Sequence, residues 1–364
     1  MGKKIRIAAV GGGSFGEIHL QGFRHCPEIE IISICRQNRD HAEQVAEKYG
    51  IPGIYTDFDE MIETEDIDAV SLAVPHHLHH PMTLKALDQG KHVICEKPLA
   101  LDLGQAEEMV AKAEEKRLIH MTVFNWRFVP AMRRMKELME QGEVGSVYHV
   151  FFTWLTSGRR NRESAFSWRF TKGQAGYGAL GDTGVHGIDL IHWMLGDFKR
   201  VLSQMDVYVL EHKTGEAKYR KTEVEDSCSF LGKLVGGAQV IFHVSSVASW
   251  TAMICLEVHG DQGALGVRLF PRSNDYTGTL FGGKGETDFR KEIPLPKRLI
   301  DIVTPVYEND SPRVLFFAQV AKRFAKAVRS GETAEPNFFD GLKAQRVLQA
   351  LKNSSEKNDW INLR

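Results

Sequence analysis

Residues 181–193, GDTGVHGIDLIHW, hold two carboxylates and two imidazoles: Asp182, His186, Asp189 and His192. Metal ligation, proton transfer and ordinary helix packing are all open to such a set. A helix beginning near Asp182 and closed by Gly196 separates the four. Val185, Ile188, His192 and Leu195 then share an apolar stripe, while Asp182, His186, Asp189 and Trp193 share a neighbouring polar one. His192 reads as a packed core histidine. His186 reads as the acid–base, because the reference imidazole pKa of about 6.5 suits proton removal near neutrality. Asp182, one turn earlier, is placed to cap the helix and to orient His186. No metal is expected, since neither H-E-x-x-H nor a Cys/His zinc spacing occurs. The HHLHH run at 76–80 precedes Pro81 and fits a cofactor-facing loop and helix start.

A second set of residues carries binding chemistry. Gly11, Gly13 and Gly16, with Ser14 and Phe15 among them, form G-x-G-x-x-G between a strand and a helix. In that setting the first glycine makes a tight turn, the second admits a pyrophosphate to the backbone, and the third lets helix and strand pack closely. The helix N-terminus then offers N–H groups and a positive dipole end to the phosphates. FGGKGE (281–286) is the nearest lookalike of a nucleoside triphosphate loop, but it lacks the spacing and the Ser/Thr after lysine. The second strand ends ICRQNR, with Arg36 where an acid would bind a ribose 2′-hydroxyl and Arg39 nearby. Arginine pairs with a 2′-phosphate, so NADP is favoured, with NAD possible. Lys97, at the carboxyl end of HVICEK, can donate to a substrate oxygen and stabilise alkoxide charge. Adjacent strand residues point to opposite faces, which disfavours a simple surface pair with Glu96.

The elements that must position these residues alternate in the first third. Strands are expected at 4–10, 28–35, 68–75, 92–97 and 118–124, and helices after the first glycines and at 39–50, 81–90 and 103–117. Repeated strand–helix–strand order implies a doubly wound parallel sheet, whose ligands bind beyond the carboxyl ends of the strands. VGGGSFG, VPHH and CEKP all fall there. Later strands at 147–155, 200–210, 227–246 and 253–260 have few helices between them and suggest an α+β domain with a mostly antiparallel sheet. Helices are expected at 313–331 and 340–354. The division is a dinucleotide-binding domain at 1–125 and an α+β domain at 126–364, the late helices being free to pack back on the first.

The combination VGGGSFG, AVPHHLHH, GKHVICEKPLA and GDTGVHGID resembles the Gfo/Idh/MocA family, which includes glucose–fructose oxidoreductase and inositol dehydrogenase. The resemblance extends through NWRFVPAM (125–132) to the late DGL helix. It implies an N-terminal Rossmann domain and a C-terminal α+β domain for substrate binding and oligomerisation, whose open sheet builds dimers or tetramers. The implied chemistry is hydride transfer between a nicotinamide ring and a hydroxyl-bearing carbon of a sugar or cyclitol. Lys97, Asp182 and His186 match the family's active-site lysine, acid and catalytic histidine. The implied cofactor contacts are Gly11, Gly13, Ser14, Phe15, Gly16, Arg36, Pro75, His76, His79, Glu96, Lys97 and Asn125. A cis bond before Pro98 fits the same pattern. Two departures stand out: Arg36 replaces the usual acid, and His76 stands where relatives often have Asn.

Substrate contacts are expected from Lys97, Asp182 and His186, and from Arg127, which follows the last Rossmann strand. In the loop 156–180, Trp168 suits a sugar's apolar face and Arg169 its hydroxyls. Arg159, Arg160 and Arg162 have a phosphate, a neighbouring subunit or solvent as alternatives. A glycosidase-like enzyme with a retained NAD redox cycle, and a catalytically silent dinucleotide sensor, are the competing functions.

Composition narrows the field. The chain has 364 residues, 43% of them hydrophobic and 26% charged, with a net charge of -1. Such a balance sets up no field toward nucleic acid or membrane. No apolar run approaches a bilayer span. The apolar stretch near the MG start is too short for a signal-peptide core, and Arg6 breaks the myristoylation pattern. Five scattered cysteines without a C-x-x-C pair fit a reducing cytoplasm.

Overall fold

The computed structural model describes residues 3–216, 218–249, 252–270, 275–285, 291–307 and 310–363, so Met1, Gly2 and Glu286 lie outside the described residues. The chain forms two compact units, Met1–Asn125 with Thr304–Leu342, and Trp126–Val303 with Lys343–Arg364.

In the first unit the order is β1 (Ile5–Val10), α1 (Ser14–Phe23), β2 (Ile29–Cys35), α2 (Arg39–Tyr49), β3 (Gly53–Tyr55), α3 (Phe58–Thr64), β4 (Ala69–Leu72), α4 (His79–Asp88), β5 (His92–Cys95), α5 (Leu103–Lys116) and β6 (His120–Thr122). The strands form one parallel sheet in the order β3-β2-β1-β4-β5-β6. Chain direction across the sheet therefore reverses between β1 and β4, the switch point beside which doubly wound sheets bind ligands. Two cores cover the sheet. Val10, Leu72 and Val93 pack with Met61, Ala86 and Met109, whereas Ala9 and Ile34 pack with Leu20, Val45 and Ala46. Local signals set the helix ends: Asn38 and Asp102 accept from the backbone N–H groups of His41 and Gln105, and Gly50 closes α2 in the left-handed region. β3 and α3 were not anticipated, because a three-residue strand offers too few positions for a period to show.

The second unit contains α6 (Pro130–Glu140), β7 (Val147–Leu155), α7 (Lys172–Ala175), α8 (Val185–Leu195), β8 (Phe198–Asp206), β9 (Glu211–Gly215), β10 (Lys218–Lys221), β11 (Ser227–Leu234), β12 (Gln239–Ser245), β13 (Met253–Gly260), β14 (Gly263–Phe270), β15 (Asp275–Lys284) and α9 (Lys297–Ile300). The chain then enters α10 (Pro312–Ser330), which belongs to the first unit, and ends with α11 (Phe338–Lys357) and β16 (Ile361–Asn362). The large sheet has the order β15-β14-β13-β7-β12-β11-β8-β16. It is mostly antiparallel, with β7 and β12 pairing parallel. The single long strand expected at 227–246 is a hairpin of β11 and β12, turned at Gly236 and Gly237.

α8 lies directly on this sheet. Phe152, Phe242 and Phe230 stack in a row, with centroids 4.6 and 4.4 Å apart. A Cβ on Gly187 would come within 2.3 Å of the Phe152 ring, so glycine beside His186 is what lets the helix approach. On β7, β11 and β12, inward Phe152, Phe230 and Phe242 alternate with outward Phe151, Leu231 and Ile241.

Candidate active site

The first unit carries the dinucleotide loop. Gly11 has φ +125°, and a Cβ there would stand 2.1 Å from the carbonyl oxygen of Ala73, just past β4. Only glycine tolerates that turn and that approach. Gly13 differs: a Cβ there would meet no protein atom within 4 Å. The fold therefore does not require glycine at 13, whereas a pyrophosphate approaching bare backbone does. α1 starts at Ser14 with no side chain capping its N-terminus, so its first N–H groups suit an anion. Arg36 lies across the loop, its guanidinium donating to the carbonyl of Gly12 and, at 3.5 Å, to that of His41.

Glu96 and Lys97 follow β5, and both are buried. Glu96 accepts from its neighbour's backbone N–H at 3.1 Å and faces His19 Nε2 at 3.2 Å. Burial pushes its carboxyl up, but the His19 hydrogen bond and the Lys97 charge together carry it below its ordinary value. The Lys97 ammonium lies 5.9 Å from the centroid of Phe15, and the Lys97–Pro98 peptide is cis. Pro75 and Asn125 are half-buried, and His76 is buried. His79, expected as a cofactor contact, has both ring nitrogens against backbone carbonyls. It is fully buried, with Nδ1 2.9 Å from the carbonyl of Pro98 and Nε2 3.1 Å from that of Val74. It ties the Lys97–Pro98 turn to the start of α4. The run HHLHH does lead into a helix start, and its residues have different partners; His80, for example, pairs with Glu108 at 2.8 Å.

The second unit carries His186 and Asp182, the residues expected from the sequence to act as acid–base and its partner. His186 is buried, its ring stacked on Trp154 at 5.9 Å and edge-on to Trp126 at 6.2 Å. Asp182 is not an N-cap. Helical backbone starts earlier, as a π-turn over Leu180–Gly184 that runs into α8 with no side-chain cap. Its carboxylate instead forms an ion pair with Arg159 and lies 3.7 Å from Arg169 Nε. Arg169 stacks on Trp168, 4.4 Å from the ring centroid. Arg159, left open between phosphate, subunit and solvent, is thus a buried partner of Asp182, and it also lies over Phe170 at 5.3 Å. Arg162 is exposed and pairs with Glu163, and Arg160 is exposed. His192 is less simply apolar than expected, since its Nδ1 faces Asp197 at 3.1 Å.

Arg127, expected as a substrate contact, forms a bidentate pair with Asp189 of α8, at 2.8 and 2.5 Å, with both side chains buried. The sequence placed Asp189 on the polar stripe but gave it no partner.

Glu225 was missed altogether. It is buried, and one carboxylate oxygen accepts from the N–H groups of Gly178 at 2.7 Å and Leu180 at 3.0 Å, bracing the turn that leads to Asp182. Burial raises its pKa to about 7 against the opposing backbone N–H groups and the Arg159 charge. An acid with a raised folded pKa keeps its proton longer when folded, so its contribution to stability declines as pH rises from about 4.5 to about 7. The loss amounts to about 3 kcal/mol. Glu225→Gln keeps the acceptor oxygen without the titration. Melting temperatures from pH 5 to 8 should fall in the wild type and flatten in this variant; parallel profiles would contradict the assignment.

Among the described residues no group of three His, Cys, Asp or Glu is placed to hold a metal ion. Likewise, no helix is long and apolar enough to cross a membrane.

Residues 5–124 match the model of an oxidoreductase family with an NAD-binding Rossmann fold, and residues 132–266 match the GFO/IDH/MocA C-terminal domain. Levoglucosan dehydrogenase of Pseudarthrobacter phenanthrenivorans is 26% identical, with 99% of this chain and 98% of that protein aligned. Myo-inositol 2-dehydrogenase of Thermotoga maritima is 24% identical over 99% of this chain and 98% of its own. A solved levoglucosan dehydrogenase in complex with NADH and levoglucosan superposes with a TM-score of 0.90 at 25% identity, covering 99% of this chain and 100% of the other. With its glycine loop at the switch point and both domain models matched in order, the chain belongs to the Gfo/Idh/MocA family of NAD-binding oxidoreductases.

Proposed function

We propose that this protein oxidises a secondary hydroxyl of a sugar or cyclitol, or reduces the corresponding ketone, with a nicotinamide coenzyme. The observation that carries the reading is the loop at the β1–β4 switch point, whose Gly13 is demanded by no protein neighbour. The substrate class is supported by relatives named for levoglucosan, myo-inositol and 1,5-anhydro-D-fructose. When bound, the nicotinamide ring accepts or returns hydride. In oxidation His186 takes the hydroxyl proton while Lys97 donates to the same oxygen and stabilises its charge. Asp182, held by Arg159, binds a neighbouring hydroxyl together with Trp168 and Arg169. In reduction the proton moves back from His186. A homo-oligomer formed through the open sheet is supported by Phe151, Ile241 and Leu231, which lie in register and 39%, 50% and 45% exposed.

Within this reading NADP(H) is the preferred coenzyme. Arg36 stands at the end of β2 over the loop, and a carboxylate does not. The test is an absorbance assay over cyclitols, aldoses and anhydrosugars with both coenzymes, alongside fluorescence titration of each. The expected result is turnover of at least one such substrate, tighter NADP(H) than NAD(H), and reversal of that order in Arg36→Asp. Equal or NAD-favouring affinity in the wild type would sink the coenzyme assignment. No turnover with either coenzyme across the panel would sink the function.

A further inference from the structure

We propose that His19 is a positioning residue for Lys97, linking the helix that begins at the dinucleotide loop to the lysine at the end of β5. His19 sits in the second turn of α1, five residues after Ser14. Its ring is 1% exposed, and both nitrogens meet side chains: Nδ1 is 2.8 Å from Ser71 Oγ on β4, and Nε2 is 3.2 Å from Glu96 Oε1. Phe317 of α10 stacks on the ring at 3.9 Å, with an interplanar angle of 13°, and fixes its plane. The other oxygen of Glu96 accepts the backbone N–H of Lys97. A continuous hydrogen-bonded line therefore runs from Ser71 through His19 and Glu96 to the Lys97 backbone, across β4, α1 and the turn after β5.

A neutral imidazole donates from one nitrogen and accepts at the other. With Nε2–H donating to Glu96, Nδ1 accepts from the Ser71 hydroxyl, and every group in the line is satisfied. Glu96 is only 8% exposed, so an orienting donor helps to keep its carboxylate ionised. The ionisable groups that act on Glu96 are His19 from α1, Lys97 beside it, His79 from α4 and Cys95 at the end of β5. Of these, His19 and Lys97 favour the charged carboxylate. Removing His19 leaves Lys97 with a carboxylate that is misaligned and more easily protonated. The ammonium then meets the substrate oxygen out of position, a fault that costs up to about 100-fold in rate for a displacement near 1 Å.

The inference rests on the reading of Lys97 as the polarising group, so Lys97→Met is the reference. It should lose turnover at every pH. His19→Leu fills the space against Phe317 but supplies no polar atom; His19→Gln keeps a donor toward Glu96. For the full-length protein, His19→Leu should lower kcat roughly 10- to 100-fold, most at acid pH, where Glu96 is now protonated, with recovery as pH rises. NADH affinity, followed by fluorescence, should stay close to the wild type, and His19→Gln should restore part of kcat. If His19→Leu does not fold, Ser71→Ala, which removes one hydroxyl, should show the same acid-side loss in weaker form. An unchanged kcat and pH profile in the folded variants overturns the proposal, and so does a loss of NADH affinity as large as the loss of kcat. Full activity in Lys97→Met overturns the reading of Lys97 itself, whatever His19 does.

Discussion

Replacing His186 by alanine is expected to lower turnover by roughly two to four orders of magnitude, the range for loss of a general base. Coenzyme affinity should stay close to the wild type, because His186 belongs to the second unit and the glycine loop to the first. Lys97→Ala should cost a comparable amount, about 100- to 1,000-fold, through loss of a donor to the developing oxyanion. The two should differ in character. An alkoxide carries most of its charge in the transition state, so Lys97→Ala should lower kcat and kcat/KM together. His186→Ala should also remove an ionisation from the pH profile of kcat. His186 is buried and packs against both Trp126 and Trp154, so alanine there leaves a cavity. His186→Gln, which fills more of that space without a titrating nitrogen, separates packing from proton transfer. Wild-type turnover in a folded His186→Gln would contradict the acid–base role. Asp182→Asn should be milder than either if Asp182 serves mainly to bind a substrate hydroxyl, and its effect should then appear in KM.

Some of this arrangement was legible in the sequence because its causes are local. The positive φ of Gly11 belongs to a turn within its own neighbourhood, and the strand-to-helix frame around it recurs through the first third of the chain. His186 stood out because it lies one helical turn after Asp182, on the same polar stripe. What was not legible depends on partners far along the chain. Arg159 meets Asp182 across 23 residues, Arg127 meets Asp189 across 62, and His19 meets Glu96 across 77. Periodicity places a residue on a face but does not say what covers that face. The Pro98 carbonyl beside His79 and the Asp189 carboxylate beside Arg127 were therefore not visible in the sequence. Asp182 read as a cap because capping is the commonest reason for an aspartate at a helix start. The π-turn before α8 moved that start two residues upstream and freed the carboxylate for Arg159.

The enclosure of Arg127 leads to the largest expected change in stability. Its guanidinium and the Asp189 carboxylate are 3% and 2% exposed, so neither is rescued by water when the other is removed. Breaking a buried pair from one side costs about 3–5 kcal/mol, most of it the penalty on the charge left behind. For a unit of this size the same cost lowers the melting temperature by roughly 6–20 °C. Arg127→Met and Asp189→Leu should each show such a fall. The double variant should recover much of it, because two apolar side chains leave no orphaned charge. The pair joins the turn Asn125–Phe128 to α8 one turn beyond His186, so turnover should fall with the single substitutions only as far as the helix shifts. A substrate-binding Arg127 would behave in the opposite way: KM would rise in Arg127→Met, the melting temperature would hold, and Asp189→Leu would not compensate. Thermal unfolding of the three variants, with KM measured on the same samples, distinguishes a clamp on α8 from a ligand for the substrate.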